Sequence, residues 1–242
     1  AQNMDVKKII PNAITSANLF CGCLAITQIA EGNFIIASLL VLLGAFFDFF
    51  DGLAARALKV DSPLGAQLDS LADMVTFGLV PAYLAFELLN NLDYSILNYS
   101  AFLIAIFSAV RLAKFNIDDR QSTSFIGVPT PANALFWISI PLIFWQVENH
   151  IHFVSVDFLL PFFNSFYVLI AAIVIFSYLL IAEIPLLALK FKNLNWKENQ
   201  FRFLLIGISM ILIVAFLFAA IPFILLLYLI LSIIQNNLQA KQ

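Results

Sequence analysis

The chain has 242 residues, 62 % of them hydrophobic and 11 % charged, with a formal net charge of −3 and a mean hydropathy of +0.98. Average soluble domains carry about 25 % charged residues, so this composition excludes a soluble globular domain and predicts a polytopic membrane protein. No nucleic-acid partner is expected; where the charges fall matters more than their sum.

Residues 1–3, ahead of Met4, read as an expression remnant, which leaves a single expected domain over residues 4–242. No cleavable signal sequence is expected. Residues 5–10 read as a short amphipathic surface segment. Pro11 opens the first predicted span, 11–30, closed by Glu31, Gly32 and Asn33, and the second and third cover 34–58 and 63–89. After a polar patch around Asn90, Asn91 and Asp93 come a fourth span at 96–115, a charged, Gly- and Pro-bearing loop at 116–131, a fifth span at 132–147 and a loop at 148–164. The last three predicted spans are 166–189, 201–219 and 221–234, the final boundary resting on Pro222 in a nearly unbroken apolar run. The expected fold is therefore an all-α integral-membrane bundle of about eight helices, with six or seven as the bounds of the count, because backbone in lipid must satisfy its hydrogen bonds internally.

Charge tests the count. Lys7, Lys8, Arg56, Lys59, Arg111, Lys114, Arg120, Lys190, Lys192, Lys197, Arg202 and Lys241 all fall on one side of the eight-span arrangement, while Glu31, Asp93, Glu148 and Asp157 fall on the other. The positive-inside rule then predicts cytoplasmic termini in a bacterial-type inner membrane. Cys21 and Cys23 point about 200° apart on a helix and read as packing residues. His150 and His152 read as solvated loop residues, and Trp137, Trp145 and Trp196 as interfacial anchors or packing residues.

Residues 48–73 carry the chemistry. Asp48, Asp51, Gly52, Ala55 and Arg56 recur at helical spacing on one face, as do Gly65, Asp69 and Asp73 on the next segment, and the short link at 59–63 folds the two back as neighbours. A carboxylate at membrane depth costs roughly 2.5–3.5 kcal/mol, so four of them must face a polar cavity, lie near the interface or be neutralised. Arg56 and Lys59 cannot balance four acids together with Asp61. All-oxygen ligands favour hard divalent cations, Mg2+ or Mn2+, with Ca2+ also fitting, and four carboxylates can hold two such ions.

The pattern D-x-x-D-G-x-x-A-R, eight residues, then G-x-x-x-D-x-x-x-D resembles the defining motif of the CDP-alcohol phosphatidyltransferases, integral-membrane enzymes of phospholipid synthesis, and every fixed position matches. The resemblance implies a six-helix core with two added C-terminal helices, a homodimer among membrane lipids, and a CDP-lipid such as CDP-diacylglycerol as donor. It further implies that Asp48, Asp51, Asp69 and Asp73 ligate two divalent cations, that Asp73 is also the catalytic base, and that CMP leaves. Gly52, Arg56 and Gly65 would lie against the CDP-lipid. Thr15 and Asn18, in P-N-x-x-T-x-x-N, match the segment preceding the motif and would contact the nucleotide; their plain alternative is backbone bonding in a Pro-initiated helix.

The acceptor is read further on. The run from Arg111 through Lys114 to Asn116, and the run from Phe125 through Pro131 to Ala132, look like R-L-A-R-F-N and F-x-G-L-P-x-P-A of the membrane-type phosphatidylserine synthases, with Lys114 in place of Arg and Val128 in place of Leu. L-Serine would then offer its carboxylate to Arg111 or Lys114 and its other polar atoms to Asn116, Thr130 or Asn133. Two plainer roles stay open: the cations cap a helix end at the headgroup level, or the acceptor is glycerol 3-phosphate, inositol or inositol phosphate. A divalent-cation transporter, the reading of another class, predicts acids spread along a midplane path rather than clustered with an arginine near one interface.

Overall fold

The computed structural model describes residues 6–60, 62–117, 125–151, 153–187 and 195–239. The stretch 1–3, Asp5, Asp61, Arg120, His152, Lys190, Lys192 and Lys241 lie outside the described residues.

Helix α1 (Val6–Ala30) starts before the predicted boundary and carries Pro11 within it; α2 is Phe34–Leu58. The third span is α3 (Pro63–Asp73), a π-helical turn at Met74–Leu79 and α4 (Val80–Asn90). A 3-10 segment, Ile96–Phe102, leads into α5 (Leu103–Ile117), and α6 is Thr130–Glu148. The 148–164 segment, read as loop, holds a short α7 (Leu160–Phe163), which meets α8 (Phe166–Ile181) at an 80° bend. The last two helices are α9 (Trp196–Phe216) and α10 (Ala220–Gln239).

The sixth predicted span is corrected: α8 ends at Ile181, not at 189. Ala182 turns to extended backbone and Pro185–Leu186 forms a strand, β2, antiparallel to β1 (Phe125–Ile126). Pro185 has no N–H for a helix ladder, and the apolar run beyond it is buried as a strand edge rather than in a helix, with Leu186 and Leu187 only 3 % and 4 % exposed.

Five helical segments are long and apolar enough to cross a membrane, or six when the bent pair counts as one span. With the bent pair taken as one span, two observations fit the expected count of eight. The 19-residue α6 is long enough, at about 28 Å, and is the central helix, packed on α2, α4, α5, α8 and α10 with buried polar residues. The 40-residue apolar stretch Asn199–Leu238 would run about 60 Å as one rod, twice the hydrocarbon thickness. It reverses instead: Leu217 has φ +50, and Leu205 of α9 shares a buried cluster with Tyr228 and Leu231 of α10. Gln146, fully buried in α6, serves the turn by donating to the Phe216 carbonyl (3.0 Å) and accepting from the Phe218 N–H (3.0 Å), which the helix break would otherwise orphan. The chain is an all-α membrane protein.

The core gives packing roles to two further groups. Trp137 is fully buried against Phe136 and Phe176, and Cys21 is buried while Cys23 is exposed. Trp196 is 61 % exposed and stacks on Phe203.

The π turn after Asp73 bears on the site. Thr76, inside it, donates to the Asn18 carbonyl at 3.1 Å. A Cβ on Gly22 would meet Thr76 Oγ1 at 2.5 Å and one on Gly44 would meet Thr76 Cγ2 at 2.8 Å, so both glycines are required for α1 and α2 to close on this turn. The extra residue of a π turn rotates the helix beyond it, here α4, relative to α3, and such turns recur at functional positions.

Candidate active site

Asp48 and Asp51 lie in the last three turns of α2. That helix ends at Lys59, left-handed at φ +52, whose C-terminal bonds run from the Lys59 N–H to Arg56 and from the Val60 N–H to Ala55. This is a cap usually built on glycine. Ser62 then accepts from the Gly65 N–H at 3.2 Å and Pro63 occupies the first turn, a strong start signal for α3. The tight link sets Asp69 and Asp73 against the α2 pair. Oxygens of Asp48, Asp51 and Asp69 all lie within 4.8 Å of one another, and Asp48 also touches the Asp73 carboxyl, which brings the fourth acid in.

Helix α1 supports this cluster from the other side. Thr15, 3 % exposed, donates its hydroxyl to Asp51 at 2.6 Å, and the Asn18 amide donates to Asp73 at 3.2 Å. These bonds aim the carboxylates but bring no positive charge. Among the described residues no ion pair joins Arg56 or Lys59 to any of the four; Asp48, Asp69 and Asp73 feel the charges of the other aspartates, and Asp73 also interacts electrostatically with Arg111. Like charges 4–5 Å apart repel by on the order of 3–4 kcal/mol per pair at the effective dielectric of a protein. The buried Asp69 Oδ1 and Asn18 Oδ1 have no hydrogen-bond partner. Close carboxylates, one orphaned oxygen among them and neither Arg56 nor Lys59 paired to them fit a hard divalent cation.

A cavity of about 210 Å³ opens beside the cluster, lined among others by Asn12, Thr15, Asp51, Gly52, Gly65 and Asp69. A Cβ on Gly65 would approach Asn12 Oδ1 to 3.0 Å, and one on Gly52 would lie 3.6 Å from the Arg56 guanidinium, so the two glycines keep the walls low. Asp73 is absent from this lining. Asp48 is absent from it too, and Asp73 lies within electrostatic range of Arg111 on α5. The cluster thus has a cavity side and an Arg111 side.

On the Arg111 side the predicted residues separate. Arg111 is 6 % exposed with its Nε and Nη2 unpartnered; Thr130 and Asn133, at the start of α6, are fully buried, and Thr130 Oγ1 and both Asn133 amide atoms also lack partners. Lys114 is exposed, and Asn116 is exposed with its amide donating to Ser70 at 2.9 Å. These two differ from the guanidinium in being exposed.

Three residues escaped the sequence reading. Asn12 lines the cavity; it is a fixed position of the P-N-x-x-T-x-x-N pattern, three before Thr15, but was given no role there. Thr76 depends on the π turn and Tyr228 on the C-terminal hairpin, and neither has a local signature.

The chain resembles known proteins over most of its length. The family model of the CDP-alcohol phosphatidyltransferases matches residues 8–177. A CDP-diacylglycerol–serine O-phosphatidyltransferase of Bacillus subtilis is 44 % identical over 123 residues, 50 % of this chain and 69 % of the relative. A protein of the same name from Helicobacter pylori is 31 % identical over 208 residues, 85 % of this chain and 82 % of the relative. Another, from Methanocaldococcus jannaschii, is 36 % identical over 135 residues, 55 % of this chain and 61 % of the relative.

Proposed function

Since the chain belongs to the CDP-alcohol phosphatidyltransferase family, we propose that it transfers the phosphatidyl group of CDP-diacylglycerol to the hydroxyl of L-serine, giving phosphatidylserine and CMP. The observation that carries the reading is the convergence of four aspartates, none of them ion-paired to Arg56 or Lys59, beside a cavity that Asp51 and Asp69 line together with Gly52 and Gly65. The choice of serine draws support from the names of relatives that align with 82 % and 69 % of their own length. It also draws on a buried, unpartnered arginine suited to a small carboxylate.

Asp48, Asp51, Asp69 and Asp73 would hold two divalent cations, Mg2+ or Mn2+, which when bound supply charge neutralisation and polarisation of the diphosphate. The CDP moiety enters the cavity side, where Thr15 lines the wall and holds Asp51 and Arg56 takes phosphate oxygens, while Asn18 holds Asp73. Serine enters the Arg111 side. Its carboxylate pairs with Arg111, and Thr130 and Asn133 take remaining polar atoms. Asp73 accepts the hydroxyl proton, the serine oxygen forms a bond to the lipid-side phosphorus, and the bond from that phosphorus to the CMP oxygen breaks with its electron pair leaving on CMP. No Ser, Cys or His touches the cluster among the described residues, which favours direct transfer over a covalent intermediate.

The single-sided distribution of Lys and Arg supports a cytoplasmic site with both termini inside the cell's inner membrane. A homodimer is part of the same proposal. The test is CMP release by the purified protein in detergent–lipid micelles with CDP-diacylglycerol and a panel of alcohols. Release should require serine, and the lipid product should be phosphatidylserine. Equal release with glycerol 3-phosphate or inositol would overturn the acceptor, and release independent of any alcohol would overturn the transfer.

A further inference from the structure

Tyr228, Ser232 and Asn236 follow one another at four-residue intervals along α10 and so share one face. All three are spent on one short backbone segment. The Tyr228 hydroxyl donates to the Leu187 carbonyl at 3.1 Å, the Leu187 N–H donates to Ser232 Oγ at 3.0 Å, and the Asn236 amide donates to the Pro185 carbonyl. Leu187 thus has both its backbone polar groups met by α10. Tyr228 and Ser232 are 8 % and 1 % exposed, so these are buried bonds with no water to replace them.

That segment is β2, and it passes the constraint on. Ile126 of β1 pairs with Pro185, the Gly127 N–H donates to the Ile184 carbonyl at 3.0 Å, and the Val128 N–H donates to the Leu179 carbonyl at 2.9 Å. Gly127 has φ +74, and a Cβ there would come within 2.8 Å of the Leu180 carbonyl oxygen, so the backbone approach is one only glycine permits. Val128 packs with Leu186, Leu187, Leu205, Tyr228 and Leu231. Two residues later Thr130 begins α6, with its hydroxyl and the Asn133 amide buried and unpartnered. Tyr228 also lies within electrostatic range of Arg111, whose buried Nε and Nη2 have no partner. Five buried polar atoms, two on Arg111, one on Thr130 and two on Asn133, have no partner, each carrying a desolvation penalty of about 1–3 kcal/mol, and a small polar ligand would satisfy them.

We propose that α10 is a positioning element of the acceptor subsite: Tyr228, Ser232 and Asn236 fasten residues 185–187, which fix the 127–130 turn and with it Thr130 and Asn133 opposite Arg111. The ligand class is a small alcohol bearing a carboxylate and an ammonium group. This rests on the acceptor side of the function proposed above. It gives the C-terminal hairpin, which lies beyond the residues 8–177 shared with the family model, a role in acceptor binding rather than in the metal and nucleotide site.

The test is steady-state kinetics on the full chain in lipid–detergent micelles, with CDP-diacylglycerol and serine varied separately, for wild type, Tyr228→Phe, Ser232→Ala and Asn236→Ala. Tyr228→Phe should raise the KM for serine about tenfold, the size of one buried hydrogen bond, and leave the KM for CDP-diacylglycerol and the cation requirement unchanged; Asn236→Ala, at the wetter end, should move the same parameter less. A general structural role would instead lower kcat or shift both KM values together, and that result, or an unmoved serine KM, overturns the proposal. If Tyr228→Phe does not accumulate as folded protein, the same split in Asn236→Ala decides. The wild-type arm reports separately on the proposed function: were another alcohol the acceptor, its KM is the one to read, and were no alcohol accepted, both proposals fall.

Discussion

Asp73→Asn should lower kcat by on the order of a thousandfold or more while the protein stays folded. General-base assistance alone is worth about 10²–10⁴ in rate, and the same carboxylate is assigned a share of the cation site. Its placement explains why the loss should exceed that of its neighbours. Asn18 occupies one oxygen, Asp73 Oδ1, at 3.2 Å, and the side chain lies outside the cavity lining, on the side where Arg111 approaches. The substitution keeps the shape and the bond to Asn18 becomes an amide–amide contact, so the melting midpoint in detergent should be at or above that of wild type, since one of four mutually repelling carboxylates is gone. Single-turnover CMP release separates the chemical step from lipid binding. A residual rate within tenfold of wild type would remove Asp73 from proton transfer.

Arg111→Gln should raise the KM for serine at least a hundredfold and erase discrimination between serine and ethanolamine, which lacks the carboxylate. Breaking a buried, hydrogen-bonded charge pair costs roughly 2–5 kcal/mol, much of it from the group left unpaired. Ethanolamine never makes that pair, so its poor kcat/KM should change little, and the ratio of the two substrates reports the pairing itself. Lys114→Gln is the internal comparison. Lys114 is exposed, so its removal should shift the serine KM by no more than a few-fold. Were Arg111 only a helix-end cap, stability would fall and the serine-to-ethanolamine ratio would hold.

The legible part of this molecule is the part whose meaning lies in local spacing. Asp48 and Asp51, three apart, and Asp69 and Asp73, four apart, could be set on helix faces from the sequence alone, and the Lys59–Pro63 link announced the turn that opposes them. The membrane class followed from composition, and the spans followed from apolar runs bounded by polar residues. What stayed hidden depends on contacts between distant segments. The π turn after Asp73 has no propensity signature; it exists because Gly22 and Gly44 let Thr76 approach from two helices at once. The sixth span is predicted past Ile181 because Ile184, Leu186 and Leu187 continue the apolar run, although Pro185 marks the stop; the strand partner, Phe125–Ile126, lies far earlier in the chain, before α6. The last helical hairpin is expected near Pro222, but the reversal is at Leu217, and Pro222 falls in the first turn of α10, where its missing N–H does no harm. Asn116 illustrates the converse: close in sequence to Lys114 and grouped with it, it is turned to Ser70 of α3 at the surface.

Transfer by this site requires the four aspartates to grip divalent ions, and ion binding can be measured without turnover. Mn2+ titrated into the purified protein with CDP present, and followed by loss of the free-ion paramagnetic resonance signal, should show about two ions bound per chain, as two-metal sites hold, and Asp48→Asn/Asp69→Asn should abolish that binding while the protein keeps its helical content. Equal Mn2+ uptake by wild type and the double variant would contradict the account.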